Sequence, residues 1–141
     1  NSFQEKARAM SRIATRMADA WQLSGTKQII EKAIDLANQE EREVFKNFSY
    51  YEIAGSAAIC GHFDIARSLI ENIPDIAFSS TKSLKNSTLR DLAWGLAKHG
   101  NYKAAYETAH VIRTEREKVQ TLSRIIRVMI NKDMNAVARY L

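Results

Sequence analysis

Apolar residues recur at intervals of three and four along almost the whole chain, which is the spacing of one face of an α-helix. Leu89, Leu92 and Leu96 show the pattern clearly, and no stretch alternates strictly enough to predict a strand. The 141 residues include only five glycines and one proline, whereas the helix formers Ala, Glu, Lys and Arg are frequent. The chain is therefore predicted to be all-α.

Turn-forming residues divide this pattern into eight predicted helices. Breaks are predicted at Ser24-Gly25, Gly61-His62, Pro74, residues 79–83, Gly100-Asn101 and Lys132-Asp133. The helices are predicted near residues 4–23, 27–38, 42–60, 63–73, 84–99, 102–113, 117–131 and 134–140.

The chain also repeats itself. Residues 45–73 coincide with residues 84–112 after a shift of 39 positions. The coinciding pairs include Ser49 and Thr88, Ile53 and Leu92, Ala54 and Ala93, Ala58 and Ala97, Gly61 and Gly100, and Ala66 and Ala105. A further shift of 33 places Thr88 on Thr121 and Leu92 on Ile125. A shift of 36 in the other direction places Ile53 on Met17 and Ala54 on Ala18.

Periods of this length are typical of solenoids in which each helical hairpin packs only against its neighbours. The pattern therefore predicts a single helical-repeat domain over residues 1–141, an α-solenoid of about four hairpins. Its units are predicted near residues 4–41, 42–80, 81–115 and 116–141. The chain begins with Asn1 rather than Met, which indicates a piece of a longer protein.

The two central units resemble the tetratricopeptide repeat. Ala93 precedes Gly100 by seven residues, and Tyr102 and Ala105 follow that glycine by two and five; the preceding unit repeats this spacing. The resemblance lies in a small residue in the first helix, a glycine at the turn, and an aromatic residue and an alanine in the second helix. It implies a right-handed superhelix in which the first helix of each unit lines a concave groove for a partner.

The outer units depart from this pattern. The first unit has Lys27 at the aromatic position, and the fourth has Asp133 in place of the glycine. No unit carries the proline that usually closes such a repeat, because Pro74 comes too early. The resemblance is therefore specific for residues 45–112 and degenerate elsewhere.

Some side chains on the first helices point away from their own hairpin. Trp94 lies two residues from both Leu92 and Leu96, a rotation of roughly 200° round the helix. If the resemblance holds, this face lines the groove. The predicted partner-binding residues are Tyr51, Arg90, Trp94, Lys98, Arg127 and Asn131. The alternative for Trp94 is a place in the core between two repeats, whereas Trp21 is interpreted as core filler.

The formal net charge of +5 is concentrated in the C-terminal third of the chain. Residues 87–141 hold ten Lys and Arg against five Asp and Glu. A basic end attracts nucleic acid, anionic lipid or an acidic protein segment. A solubilising surface is the other interpretation.

Candidate chemistry is sparse. Cys60 and His62 are separated by one residue, but His99 and His110 lie far away in sequence, and a zinc site needs four clustered ligands. No nucleophile–base pair or phosphate-binding glycine loop is present, so no enzyme, catalytic residue, cofactor or metal is predicted. The longest apolar stretch, residues 53–60, is much shorter than the ~20 residues of a membrane span, and no signal segment is visible. The predicted location is the cytoplasm.

These observations predict a non-enzymatic protein–protein interaction module, or scaffold, that binds an acidic partner peptide or helix in its groove. A helical repeat that binds RNA through the basic third is a second hypothesis. Against it, only Tyr51 and Trp94 offer faces on which bases could stack. A third hypothesis is a structural fragment whose open ends stack on further repeats or, through the terminal repeats, on a second copy to form a homo-oligomer.

Overall fold

The computed structural model describes residues 3–20, 22–74, 77–79, 82–132 and 139. Within them the chain is all-α apart from one short pair of strands. The helices are α1 (Phe3–Asp19), α2 (Thr26–Asn38), α3 (Glu43–Ile59), α4 (Phe63–Glu71), α5 (Leu84–Lys98), α6 (Tyr102–His110) and α7 (Glu115–Lys132). The all-α prediction is confirmed. The predicted helix over 134–140 and the predicted core role of Trp21 lie outside the described residues.

A glycine lies in the turn of each of the three described hairpins. Gly25, Gly61 and Gly100 have φ values of 86°, 88° and 83°, which is the left-handed region that other residues rarely adopt. At the second hairpin the backbone N–H of His62 reaches back to the carbonyl of Ala57 at 2.8 Å. Asn101 repeats this bond to Leu96 at 2.8 Å, so the two central turns are built in the same way.

Several helix ends differ from the predicted ones. α4 ends at Glu71 rather than near residue 73, because Ile73 precedes Pro74 and the residue before a proline is disfavoured in a helix. α7 begins at Glu115, two residues early, since the Thr114 carbonyl accepts the N–H of Lys118 at 2.9 Å and starts the first turn.

The prediction that the chain has no strand is wrong between α4 and α5. The strands β1 (Ala77–Ser79) and β2 (Lys82–Ser83) pair antiparallel, with Ala77 opposite Ser83. Segments of three and two residues are too short to show an alternating pattern in the sequence. Ser83 then caps α5 by accepting the N–H of Asn86 at 3.3 Å.

Helices that follow one another along the chain pack together. α1 packs on α2, α3 on α4 and α5 on α6, which forms three hairpins. The odd-numbered helices also pack in sequence, α1 on α3, α3 on α5 and α5 on α7. The core between them is rich in alanine, and small side chains allow the helices to approach closely.

Larger residues at the alanine positions are expected to separate these helices. Ala54 is 1% exposed and Ala93 is fully buried, so neither site has room for a leucine. We expect Ala54→Leu and Ala93→Leu each to lower the free energy of unfolding by about 1–3 kcal/mol, measured by urea denaturation. Near-neutral effects at both sites would contradict the packing register of α3 and α5.

Candidate partner-binding groove

The odd-numbered helices share a face that carries two adjoining clefts, which meet at Ile59. The larger cleft has a volume of about 620 Å³ and lies at the C-terminal ends of the helices. It is lined by Ala18, Asp19, Leu23, Ile59, Lys98, His99, Gly100 and Lys132. The smaller cleft, of about 270 Å³, is lined by Arg8, Ser11, Arg12, Tyr51, Glu52, Gly55, Ser56, Ile59 and Asp91. We refer to the two clefts and the side chains beside them as the groove.

The predicted partner-binding residues occupy different parts of this face. Tyr51 lines the smaller cleft and Lys98 the larger one. Trp94 is half-buried on α5, four residues from both Arg90 and Lys98. Arg127 and Asn131 are exposed on α7, and they line neither of the two clefts.

Trp94 holds two cations against its indole ring. The Lys98 ammonium lies 4.6 Å from the ring centroid, and the Arg124 guanidinium lies 5.1 Å from it. Both distances are within the range of cation–π attraction. Because Arg124 belongs to α7, Trp94 bridges two neighbouring odd-numbered helices while its side chain stays partly accessible.

The centre of the groove is a mixed-charge cluster. Arg90 lies 3.3 Å from Asp91 through both Nε and Nη2, so its charge is balanced by a neighbouring carboxylate. Burial raises the pKa of the Asp91 carboxyl above its ordinary value, and the adjacent Arg90 opposes this shift. Burial also raises the pKa of Tyr51, and the charge of Asp91 raises it further. This part of the groove has little net charge.

The N-terminal end of the groove is tied together across α1 and α3. Arg8 Nε lies 2.9 Å from Glu52 Oε1. The Thr15 and Ser56 hydroxyl groups of the same two helices are hydrogen-bonded to each other at 2.9 Å. The ion pair engages Arg8, whereas Lys98 and Arg124 lie against the Trp94 ring and form no ion pair with a carboxylate of the described residues.

Arg124 is the site residue that the sequence analysis missed. A shift of 33 relates it to Asp91, and a further shift of 39 relates Asp91 to Glu52. All three residues touch the preceding odd-numbered helix: Glu52 at Arg8, Asp91 beside Gly55, and Arg124 at Trp94. The repeat therefore contained a signal for Arg124, because in each of these units the equivalent position faces the preceding odd-numbered helix.

The cysteine and the histidines have structural partners. The Cys60 thiol is buried, donates to the Ala14 carbonyl at 3.4 Å and has its pKa raised by burial. His99 Nε2 donates to the Ile59 carbonyl at 2.8 Å, and its ring packs edge-on against Phe63. Within the described ranges no three His, Cys, Asp or Glu side chains converge to hold a metal ion.

His62 should make folding sensitive to acid. The Thr26 hydroxyl donates to the Leu23 carbonyl, so it accepts a bond from His62 Nε2 at 2.9 Å. Burial, and then the charge of Lys27, hold the pKa of His62 below its ordinary value of 6.5. The folded state favours the neutral ring, so the His62 contribution to the free energy of unfolding is fully present above pH 6.5. This contribution is lost as the pH falls from 6.5 through the lowered pKa of the folded state.

We expect His62→Gln to reduce this loss, because glutamine keeps a donor for Thr26 and does not titrate. Urea midpoints of both proteins at pH 8 and pH 5 measure the effect. The same pH dependence in the variant would show that His62 is not its source.

Comparison of the chain with models of known protein families, with curated proteins and with solved structures gave no significant match. No helix in the described part of the chain has both the length and the apolar character needed to cross a bilayer.

Proposed function

We propose that the chain is a tetratricopeptide-like α-solenoid that binds an acidic segment of a partner protein along the groove. Three features support the architecture: helices that pack on their neighbours in sequence, equivalent glycine turns at Gly61 and Gly100, and one register shared by the odd-numbered helices. A solenoid of this kind offers an extended concave surface for recognition.

The cation pair at Trp94 carries the proposal. Lys98 and Arg124 lie on one indole ring, and Arg127 is exposed one turn further along α7. Among the described residues none of these three cations forms an ion pair with a carboxylate. Positive charges held in a fixed place beside an apolar cleft favour a segment with carboxylates and apolar side chains.

Two observations favour a protein partner over nucleic acid. The Trp94 ring is already in contact with Lys98 and Arg124, which leaves it less free to stack on a base. The clefts are also lined by Asp19, Glu52 and Asp91. A peptide can place its carboxylates beside Lys98 and Arg124 and its neutral or apolar residues beside these acidic side chains, whereas a nucleic-acid backbone carries a negative charge at every phosphate.

The test is a charge reversal with a matched control. Lys98→Glu combined with Arg124→Glu should abolish binding to acidic peptides that the wild-type chain selects from a random 12-residue library. Lys32→Glu combined with Lys103→Glu makes the same change in net charge on exposed sites of α2 and α6 and should leave binding intact. Binding is measured by fluorescence anisotropy.

A salt titration against single-stranded RNA completes the experiment. Submicromolar RNA binding with steep salt dependence, together with no selected acidic peptide, would overturn the proposal in favour of a nucleic-acid function. Equal loss of peptide binding in both double variants would show that net charge, rather than the groove, attracts the peptide.

A further inference from the structure

Among the described residues nothing covers one face of α7, whereas the equivalent faces of α3 and α5 pack against a following helix. Ala58 of α3 is the point where α5 approaches: a Cβ at Gly95 would lie 2.7 Å from the Ala58 carbonyl oxygen. The repeat register places Ala97 at this position in α5 and Ile130 in α7. Ala58 and Ala97 are fully buried, whereas Ile130 is 45% exposed.

The exposed position belongs to a longer apolar seam. Val119, Ser123, Ile126 and Ile130 follow one another by four, three and four residues, which is the spacing of a seam between packed helices. Val119 is 58% exposed, and Ile126 is half-buried. We call these four residues the leading face of α7. Two exposed β-branched side chains, three turns apart on one helix, offer a helical partner two anchor points.

Two arginines border the leading face on its groove side. At the junction of α1 and α3, Arg8 pairs with Glu52 of the following helix at 2.9 Å. The three shifts of the repeat together relate Arg8 to Arg116 on α7. Arg127 occupies the register of Trp94, which also contacts the following helix. Both arginines are exposed. A helix that packs on the leading face would contact them with the edge that lies nearest the groove, which we call its groove-side edge.

We infer that the leading face of α7 binds an amphipathic helix of another protein whose groove-side edge is acidic. The apolar seam supplies the contact area, and Arg116 and Arg127 select the charge of the edge. This inference uses residues other than the Lys98–Arg124 pair, so it does not rest on the proposed groove ligand.

A second copy of the chain is a poorer occupant. End-to-end stacking would bring the outer face of α1, with Met10, Ile13 and Met17, onto the leading face. The apolar side chains suit such a contact, but the α1 residue in the register of Glu52 is Arg16. Arg16 is exposed and would face Arg116 and Arg127, and like charges at an interface oppose association.

The probe is a synthetic 18-residue helical peptide with leucines along one face and glutamates along one edge. Its matched control carries lysine in place of every glutamate. In fluorescence anisotropy with the full chain, we expect the acidic peptide to bind at least tenfold more tightly than the basic one. Val119→Asp with Ile130→Asp should weaken the acidic peptide at least tenfold, and Arg116→Glu with Arg127→Glu should reverse the preference.

Control variants separate this surface from other effects. Val44→Asp changes an exposed apolar residue on α3 and should leave binding unchanged. Circular dichroism verifies that each variant is folded. Equal binding of the two peptides, or binding unaffected by Val119→Asp with Ile130→Asp, overturns the inference. Light scattering measures the oligomeric state of the wild-type chain and of the Val119→Asp, Ile130→Asp variant. An oligomer that becomes a monomer in this variant would assign the leading face to a second copy instead.

Discussion

Gly95→Ala is expected to lower the free energy of unfolding by about 3 kcal/mol, although it adds only one methyl group. The new Cβ would lie 2.7 Å from the oxygen, 2.8 Å from the carbon and 2.9 Å from the Cβ of Ala58. Two of these atoms are backbone of a neighbouring helix, so α3 and α5 would have to move apart. Alanine is the better helix former by about 1 kcal/mol, and a net loss therefore measures the packing conflict.

Gly55→Ala is the matched control, because Gly55 also lies inside a helix and faces the same contact between α3 and α5 from the α3 side. There the nearest atom to an added Cβ is Asp91 Oδ2 at 3.4 Å, the end of a side chain. We expect Gly55→Ala to leave the free energy of unfolding unchanged or to raise it by up to about 1 kcal/mol, because alanine is the better helix former. Urea unfolding of both variants decides the matter, and equal destabilisation would contradict the close contact at Ala58.

Trp94→Ala is expected to weaken the acidic peptide by about 2 kcal/mol, or roughly thirtyfold in Kd. The substitution removes the surface on which Lys98 and Arg124 are held, so both cations lose their fixed positions even though neither is mutated. Trp94→Phe keeps an aromatic face and should retain much of the affinity. Anisotropy titrations with the peptide chosen by the wild-type chain give the comparison.

The stability of the same variant distinguishes the two roles weighed for Trp94. Its side chain is half-buried, so we expect Trp94→Ala to cost about 2 kcal/mol of folding free energy and to leave the chain folded. A chain that no longer folds at 25 °C would instead place Trp94 in the core between repeats.

Much of this fold could be predicted because its determinants are local. Helical periodicity and the turn glycines at Gly61 and Gly100 place seven helices close to their observed positions. The alanine positions follow from the repeat, and Ala54 and Ala93 are buried as expected for a close helix contact. The paired strands were missed because three and two residues carry no periodicity.

The groove was predicted less completely, because its contacts join residues that are far apart in sequence. The face of α5 that carries Trp94 follows from the helical angle, but its contact with Arg124 depends on how α7 is rotated. The pairing of Arg90 with Asp91 was also missed, since adjacent residues in a helix do not normally face each other.

The packing of each helix on its neighbours in sequence has a kinetic consequence. Contacts between residues close in sequence require little loop closure, so a chain of this topology folds fast for its size. In the α-solenoid proposed above, folding can start at any hairpin and spread to the next, and unfolding can start from either end without first opening the centre. Backbone amides of α3 and α5, which are joined by the close approach at Gly95, should then exchange with solvent more slowly than those of α1 and α7.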